Sequence, residues 1–167
     1  MTEVQFWELI DQSRQGSRNC KAQTEHLQQI LSTLPPAEIV EFQQVFADKI
    51  VESYRWDLWG VAWLIGNGCS DDGFEYFCRW LIGQGKAVYC QALVDPQSIL
   101  HCLEGNDREI ECEELFYAGG EAYEAITGEI MPLIDLAYPR HPVGEPWTSK
   151  EVVERFPQVA QRYRTGS

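Results

Sequence analysis

The stretch from residue 54 to residue 89 limits the possible fold more than any other part of this sequence. It reads YRWDLWGVAWLIGNGCSDDGFEYFCRWLIGQGKAVY and contains four of the six tryptophans. Large rings at this density bury much surface and usually form the core of a domain. The pattern predicts an almost wholly apolar helix from about Asp57, a turn at 66–68, and a second helix that Ser70 caps. We expect the first of these helices to be the most buried element of the fold.

Helical periodicity also covers most of the remaining sequence. Capping boxes at Thr2–Gln5 and Thr148–Glu151 predict the first and last helix starts. No segment alternates apolar and polar residues in the way a half-buried strand does. Four prolines between residues 131 and 147 predict an extended segment that wraps over the helices. The sequence therefore predicts a single all-α domain over residues 1–167, a multi-helix bundle with this proline-rich segment before its C-terminal helix.

The charge of the chain restricts its partners. The 167 residues carry a formal net charge of −13, whereas binding to nucleic acid or anionic membrane depends on lysine and arginine. No apolar run approaches the roughly 20 residues of a membrane span. We therefore predict no nucleic-acid partner and no membrane partner. A basic protein, a small cation, or a role for the charge in solubility alone all stay open.

Cysteine spacing and the N-terminal sequence predict the compartment. The six cysteines stand nine or more residues apart, and MTEVQFWELIDQ has no basic region followed by an apolar run. Both features favour reduced thiols, a cytoplasmic location and no structural zinc. Cys69 stands just before a predicted helix start, where a thiol pKa can be lowered, but packing is the commoner role there. We predict no tightly bound metal and no cofactor.

Three motifs carry a resemblance to a known family. FWELI near the start, YRWDLWGVAWLIGNGCSDDGFEYFCRWLIGQG in the middle and ERFP followed by Tyr163 near the end resemble the bacterial family catalogued as domain of unknown function 4240. The resemblance spans most of the chain and its central motif is long. It implies one domain over the whole chain and directs attention to WDLW and SDDGFEYF. It assigns no catalytic residue.

The polar residues among the tryptophans form the candidate binding site. Its members are Arg55, Trp56, Asp57, Trp59, Asp71, Asp72 and Arg79. One interpretation is structural, with the aspartates capping helices and the arginines pairing with them. The other is that carboxylates and guanidinium groups bind a ligand beside the rings. If the two central helices pack antiparallel, the partner of Arg79 should be Asp57 or a carboxylate from another helix, and not Asp71.

Two classes of function follow, and whether the chain is an enzyme stays open. The leading hypothesis is a protein- or peptide-binding module, because acidity and tryptophans occur without a recognisable catalytic set. The alternative is a metal-dependent hydrolase that uses Asp and Glu side chains near WDLW and SDD. Glu114, Glu121 and Glu124 share a predicted helical face, and the Glu121–Glu124 pair could hold a divalent cation, although such faces are usually solvated. The Glu-x-x-His signature of di-iron bundles does not occur.

Overall fold

A computed structural model describes residues 1–163 and consists of helices in that range. The α-helices are α1 Glu3–Arg14, α2 Cys20–Leu31, α3 Pro36–Glu52, α4 Trp56–Gly66, α5 Asp71–Gly83, α6 Lys86–Val94, α7 Ala118–Thr127, α8 Ser149–Arg155 and α9 Pro157–Tyr163. Two 3-10 helices span Pro96–Cys102 and Glu113–Tyr117. Within these residues, β-bridge hydrogen bonding is limited to one isolated parallel bridge between Arg55 and Val143. The predicted all-α class is confirmed.

The helix starts lie where local sequence signals predict them. The Thr2 hydroxyl accepts a hydrogen bond from the Gln5 amide at 3.2 Å, and the Gln5 side chain accepts one from the Thr2 amide at 2.9 Å. Thr148 and Glu151 repeat this reciprocal arrangement at α8. Ser70 caps α5 through the Gly73 amide at 3.1 Å. These contacts satisfy amide groups that a helix start otherwise leaves without partners.

The most buried helix is α5, which corrects the expectation that α4 would hold this position. Every residue of α5 from Phe77 to Gly83 is buried, and the helix contacts α1, α3, α4, α6 and the 3-10 helix Glu113–Tyr117. In α4 the rings of Trp56, Trp59 and Trp63 stay partly exposed, because α8, α9 and Trp147 cover that side incompletely. An apolar sequence indicates that a helix packs against other elements, but it does not indicate how completely those elements bury the helix.

The chain approaches α3 closely at the start of α7. The backbone begins with the tighter 3-10 turns from Glu113 and becomes α-helical at Ala118. A β-carbon on Gly119 would lie 2.1 Å from Oε1 of the buried Gln43. Gln43 Nε2 donates to the Phe116 carbonyl at 2.6 Å, which fixes that side chain. Glycine at position 119 therefore allows the start of α7 to pack closely against α3.

The proline-rich segment extends across α3 and the start of α4. The Asp135 carbonyl accepts from Gln44 Nε2 at 3.0 Å. Further along, Val143 exchanges backbone hydrogen bonds with both sides of Arg55, at 2.9 Å from the Trp56 amide and 3.0 Å to the Tyr54 carbonyl. The extended segment expected from the prolines is confirmed. It brings residues far along the chain to the beginning of the central stretch.

No helix in residues 1–163 combines the length and the apolar character that crossing a membrane requires.

Candidate functional site

Arg55 and Asp57 form a local pair at the start of α4. Arg55 Nε donates to Asp57 Oδ1 at 3.0 Å, and a second guanidinium nitrogen binds the other carboxylate oxygen. Asp57 Oδ1 also accepts from the Leu58 amide at 2.8 Å. Both side chains are partly exposed. This arrangement matches the structural interpretation, because the two groups satisfy each other and a helix end.

Arg79 is buried, with 5 % of its surface exposed, and binds within a different set of residues. Its Nη2 donates to Glu75 Oε1 at 2.7 Å and its Nη1 donates to the Glu113 carbonyl at 2.8 Å. The guanidinium also lies over the rings of Phe116 and Tyr117, 5.0 and 5.2 Å from their centres. The expectation of Asp57 or another helix as the partner was wrong, although Asp71 was correctly excluded. Glu75 lies one turn earlier on the same helix, where a carboxylate and an arginine meet directly.

The tryptophans of the candidate site belong to a row of rings. Trp56 stacks on Trp59 with centres 5.5 Å apart, and Trp59 stacks on Phe74 at 4.8 Å with an interplanar angle of 3°. The row continues from Phe74 to Tyr54 at 6.1 Å and from Tyr54 to Tyr138 at 5.0 Å. The structure therefore brings the predicted rings together and extends them to two tyrosines that sequence reasoning did not select.

A cavity opens at the tyrosine end of this row, with a volume of about 200 Å³. The aromatic pocket, as we call it, is lined by Ile50, Tyr54, Asp71, Phe74, Glu75, Cys78 and Tyr138. Its deepest members are apolar or neutral, since Ile50, Phe74 and Cys78 are each 1 % exposed. Asp71 is exposed and Glu75 partly so, which places both carboxylates towards solvent. Of the predicted aspartates, Asp71 is the one that lines this pocket.

The electrostatic character of the aromatic pocket depends on its carboxylates. Partial burial, followed by the nearby Glu75 carboxylate, raises the pKa of Tyr138. Burial raises the pKa of the Cys78 thiol to about 12, so that both groups are uncharged at neutral pH. The negative charge in the lining therefore comes from Asp71 and Glu75, and Arg79 compensates part of it. The lining thus combines aromatic side chains with two carboxylates.

The other predicted acidic residues do not converge. Asp72 lies beside Asp71 in the first turn of α5 but does not line the aromatic pocket. Glu121 and Glu124 face a separate shallow groove along α7. Among residues 1–163, the one group of three potential metal ligands close enough to share an ion contains Glu114 of the predicted acidic face, but neither Glu121 nor Glu124 and none of the aspartates. Convergence of those carboxylates, which would favour that hypothesis, is not observed.

The cysteines differ from the expectation of six reduced thiols. Cys20 and Cys112 form a disulfide with Cα atoms 5.5 Å apart, across a sequence separation of 92 residues. Such a separation leaves no spacing signal, which is why the pair could not be seen in the sequence. The remaining four cysteines are free thiols. Burial, followed by Glu111 and Asp71, raises the pKa of Cys69 to about 12, so the helix start does not activate this thiol.

The fold and the pocket together define a small all-α protein with a pocket of aromatic rings and carboxylates. The chain belongs to a family described as proteins of unknown function, DUF4240, whose model matches residues 1–125. This confirms the resemblance carried by the central motif. The matched range includes Tyr54, Asp71, Phe74 and Glu75, whereas Tyr138 follows it. No curated protein and no solved structure matches the chain.

Proposed function

We propose that this protein is a protein- or peptide-binding module that accepts a lysine side chain of its partner in the aromatic pocket. One observation carries the proposal. The rings of Tyr54, Phe74 and Tyr138 and the carboxylates of Asp71 and Glu75 line the same cavity of about 200 Å³.

Rings and carboxylates attract an ammonium group for separate reasons. The face of an aromatic ring is electron-rich, and a cation within about 6 Å of the ring centre gains about 0.5–2 kcal/mol, depending on desolvation. A carboxylate adds charge-assisted hydrogen bonds from the ammonium protons. The apolar floor made by Ile50 and Cys78 suits the methylene chain that carries a lysine ammonium. A lysine side chain thus matches every part of the lining.

The overall charge supports the same class of partner. A net charge of −13 attracts basic proteins over a long range and repels nucleic acid. Four of the six cysteines are free thiols, which favours a reducing compartment, and a disulfide such as Cys20–Cys112 would be redox-responsive there. We therefore propose the cytoplasm as the place where the protein binds its partner.

A titration with two short peptides tests the proposal. The first is an acetylated and amidated Gly-Gly-Lys-Gly-Gly, and the second carries norleucine in place of lysine. Tryptophan fluorescence is a suitable readout, because Trp59 stacks directly on Phe74 of the pocket. We expect the lysine peptide to bind at least about tenfold more tightly, since norleucine keeps the chain and removes the charge. Equal affinity for the two peptides contradicts the proposal.

Matched variants locate the binding. Asp71→Asn should weaken lysine binding by about tenfold, whereas Asp72→Asn, the neighbouring position outside the pocket, should change it less than about twofold. Tyr138→Ala should weaken it similarly, and Leu133→Ala is the control, because Leu133 is fully exposed on the same segment. If the two members of either pair behave alike, the lysine binds elsewhere.

A further inference from the structure

Three side chains with metal-binding atoms meet at the start of α2. They are Cys20, the first residue of α2, and Cys112 and Glu114 at the start of the second 3-10 helix. Both sulfur atoms and a carboxylate oxygen lie within 4.8 Å of one another. This thiol–carboxylate cluster, as we call it, is separate from the aromatic pocket and plays no part in the proposed lysine binding.

The contact between Cys20 and Glu114 is not explained by the disulfide. Glu114 Oε2 lies 3.1 Å from Cys20 Sγ, although Glu114 is exposed and its carboxylate could face water. A disulfide sulfur carries no proton, so this approach is not a hydrogen bond in the oxidised protein. A thiol can donate to a carboxylate, and a metal ion can be bound by both groups. The position of Glu114 therefore suits the reduced protein better than the oxidised one.

We propose that the reduced protein binds a zinc ion through Cys20, Cys112 and Glu114, and that oxidation to the disulfide abolishes this site. A dithiol reductant of the cell supplies two electrons and two protons to the Cys20–Cys112 bond, which yields two thiols, while the dithiol becomes a disulfide. Zinc then displaces both thiol protons and binds the two thiolates and the carboxylate. Two sulfurs, one carboxylate oxygen and one water make a tetrahedral set of the kind zinc prefers.

Zinc binding requires only a small increase in the distance between the sulfur atoms of Cys20 and Cys112. Zinc–sulfur bonds of about 2.3 Å at a tetrahedral angle place two sulfurs about 3.8 Å apart. The backbone around Cys112 is held by the hydrogen bond from its amide to the Tyr76 carbonyl, at 3.0 Å. Cys20 stands in the first turn of α2, where the helix dipole favours a thiolate. Side-chain rotation can therefore provide the change in distance.

The surroundings supply both water and negative charge. A polar cavity of about 260 Å³ is lined by both cysteines and gives the fourth zinc position access to solvent. Arg14 and Arg18 face this cavity, but three carboxylates, from Asp107, Glu109 and Glu111, outnumber them. A divalent cation is therefore favoured over an anion in this position.

Zinc binding by the full-length protein tests the inference directly. One sample is reduced with a phosphine that is then removed, one is kept oxidised, and the free thiols of each are counted with a thiol reagent. Zinc alone is the probe, measured in competition with a chromophoric chelator. We expect one equivalent to bind the reduced protein, and binding at least about a hundredfold weaker in the oxidised protein, because the disulfide has no thiolate to offer. Reduced protein that binds no zinc, or oxidised protein that binds it equally well, overturns the inference.

Variants then identify the ligands. Cys20→Ser and Cys112→Ser should each abolish stoichiometric binding, and circular dichroism should show that both stay helical. Glu114→Gln leaves the cysteines untouched and should weaken zinc binding by at least about tenfold. Its matched control is Glu113→Gln, since the Glu113 carboxylate accepts from the Tyr117 hydroxyl at 3.2 Å rather than facing the sulfurs. Equal affinities of these two variants for zinc contradict the ligand assignment.

Cobalt provides a readout that does not depend on any variant. When Co²⁺ replaces zinc, thiolate ligands give an intense charge-transfer absorption in the near ultraviolet, and a tetrahedral site gives strong visible bands. The reduced wild-type protein should show both, and Cys102→Ser should preserve them, although Cys102 also lines the polar cavity. A weak, octahedral spectrum from the reduced wild type contradicts thiolate ligation.

Discussion

The aromatic pocket and the polar cavity beside Cys20–Cys112 use different faces of the same helix. Phe74, Glu75 and Cys78 of α5 line the aromatic pocket, whereas Trp80 lines the polar cavity. Successive residues of an α-helix are rotated by about 100°, so Trp80 lies on a different face of α5 from Phe74. The first cavity combines aromatic rings with two carboxylates on its solvent side, and the second is lined by both arginines and acidic side chains. Helix α5 thus contributes to two cavities with different linings.

Arg79 connects the two regions. One guanidinium nitrogen binds Glu75, which lines the aromatic pocket, and another binds the carbonyl of Glu113, which lies between Cys112 and Glu114. A change at either end can therefore reach the other through a single buried side chain.

Reduction of the disulfide should cause the largest loss of stability. Cys20 and Cys112 close a loop with a separation of 92 residues, and the chain-entropy model gives about 4–5 kcal/mol for such a cross-link. In a metal-free buffer with a chelator, the reduced protein should therefore unfold at a lower urea concentration. The sequence alone predicted no effect of reductant. Coincident unfolding curves, together with six titratable thiols before reduction, would show that the disulfide does not form in solution.

Added zinc should recover part of this loss in the reduced protein only, because the ion binds the folded state. Lysine-peptide binding, measured at temperatures where both forms are folded, should be the same with and without reductant. A change in peptide affinity on reduction would mean that the two regions are coupled through Arg79.

Arg79→Ala should be the more damaging of the two arginine substitutions in residues 54–89. It removes a guanidinium that is 5 % exposed and leaves Glu75 without its partner, so we expect a loss of about 3 kcal/mol in the free energy of unfolding. The matched control is Arg55→Ala, because the Arg55–Asp57 pair is partly exposed and its loss should cost less than about 1 kcal/mol. Urea unfolding of both variants provides the measurement. Equal losses would contradict the distinction between a buried and a local pair.

Gly60→Ala should disturb the packing around α4 and its tryptophans more than the packing around Cys20 and Cys112. A β-carbon on Gly60 would lie 2.9 Å from both Phe156 Cε2 and Val152 Cγ2, and 3.1 Å from Trp147 Nε1. Overpacking of this kind costs about 1–3 kcal/mol. Gly66→Ala, in the same helix with no neighbour within 4 Å of its β-carbon, is the control and should be neutral or slightly stabilising.

The smallest expected effect is a loss of stability at alkaline pH that depends on the ionisation of Tyr138. Its pKa is raised in the folded protein, so its contribution to stability is complete below the unfolded value near 10 and is lost as pH rises through the folded value. Ultraviolet titration of the wild type and of Tyr138→Phe should show that the variant lacks one late-ionising tyrosine. Loss of an early-ionising tyrosine instead would mean that Tyr138 is not held against the pocket.

The sequence by itself determined the class of the fold and most of its local features. Thr2, Ser70 and Thr148 cap the helices that they were predicted to cap, and the prolines after residue 131 prevent regular structure. It also selected Asp71, which lines the aromatic pocket, and Trp56 and Trp59, which belong to the row of rings that leads to it. These features depend on contacts between residues within about one helical turn, and such contacts can be inferred from the linear sequence.

Only the tertiary structure decided how distant residues combine. Tyr138 reaches Tyr54 because the extended segment bonds to the backbone on both sides of Arg55, and nothing near Tyr138 in the sequence indicates this. Cys20 meets Cys112 because α2 and the segment after residue 110 come together in three dimensions. The burial of α5 rather than α4 likewise follows from which helices surround it. Contacts over such separations arise from the packing of whole helices, which local periodicity and capping do not encode.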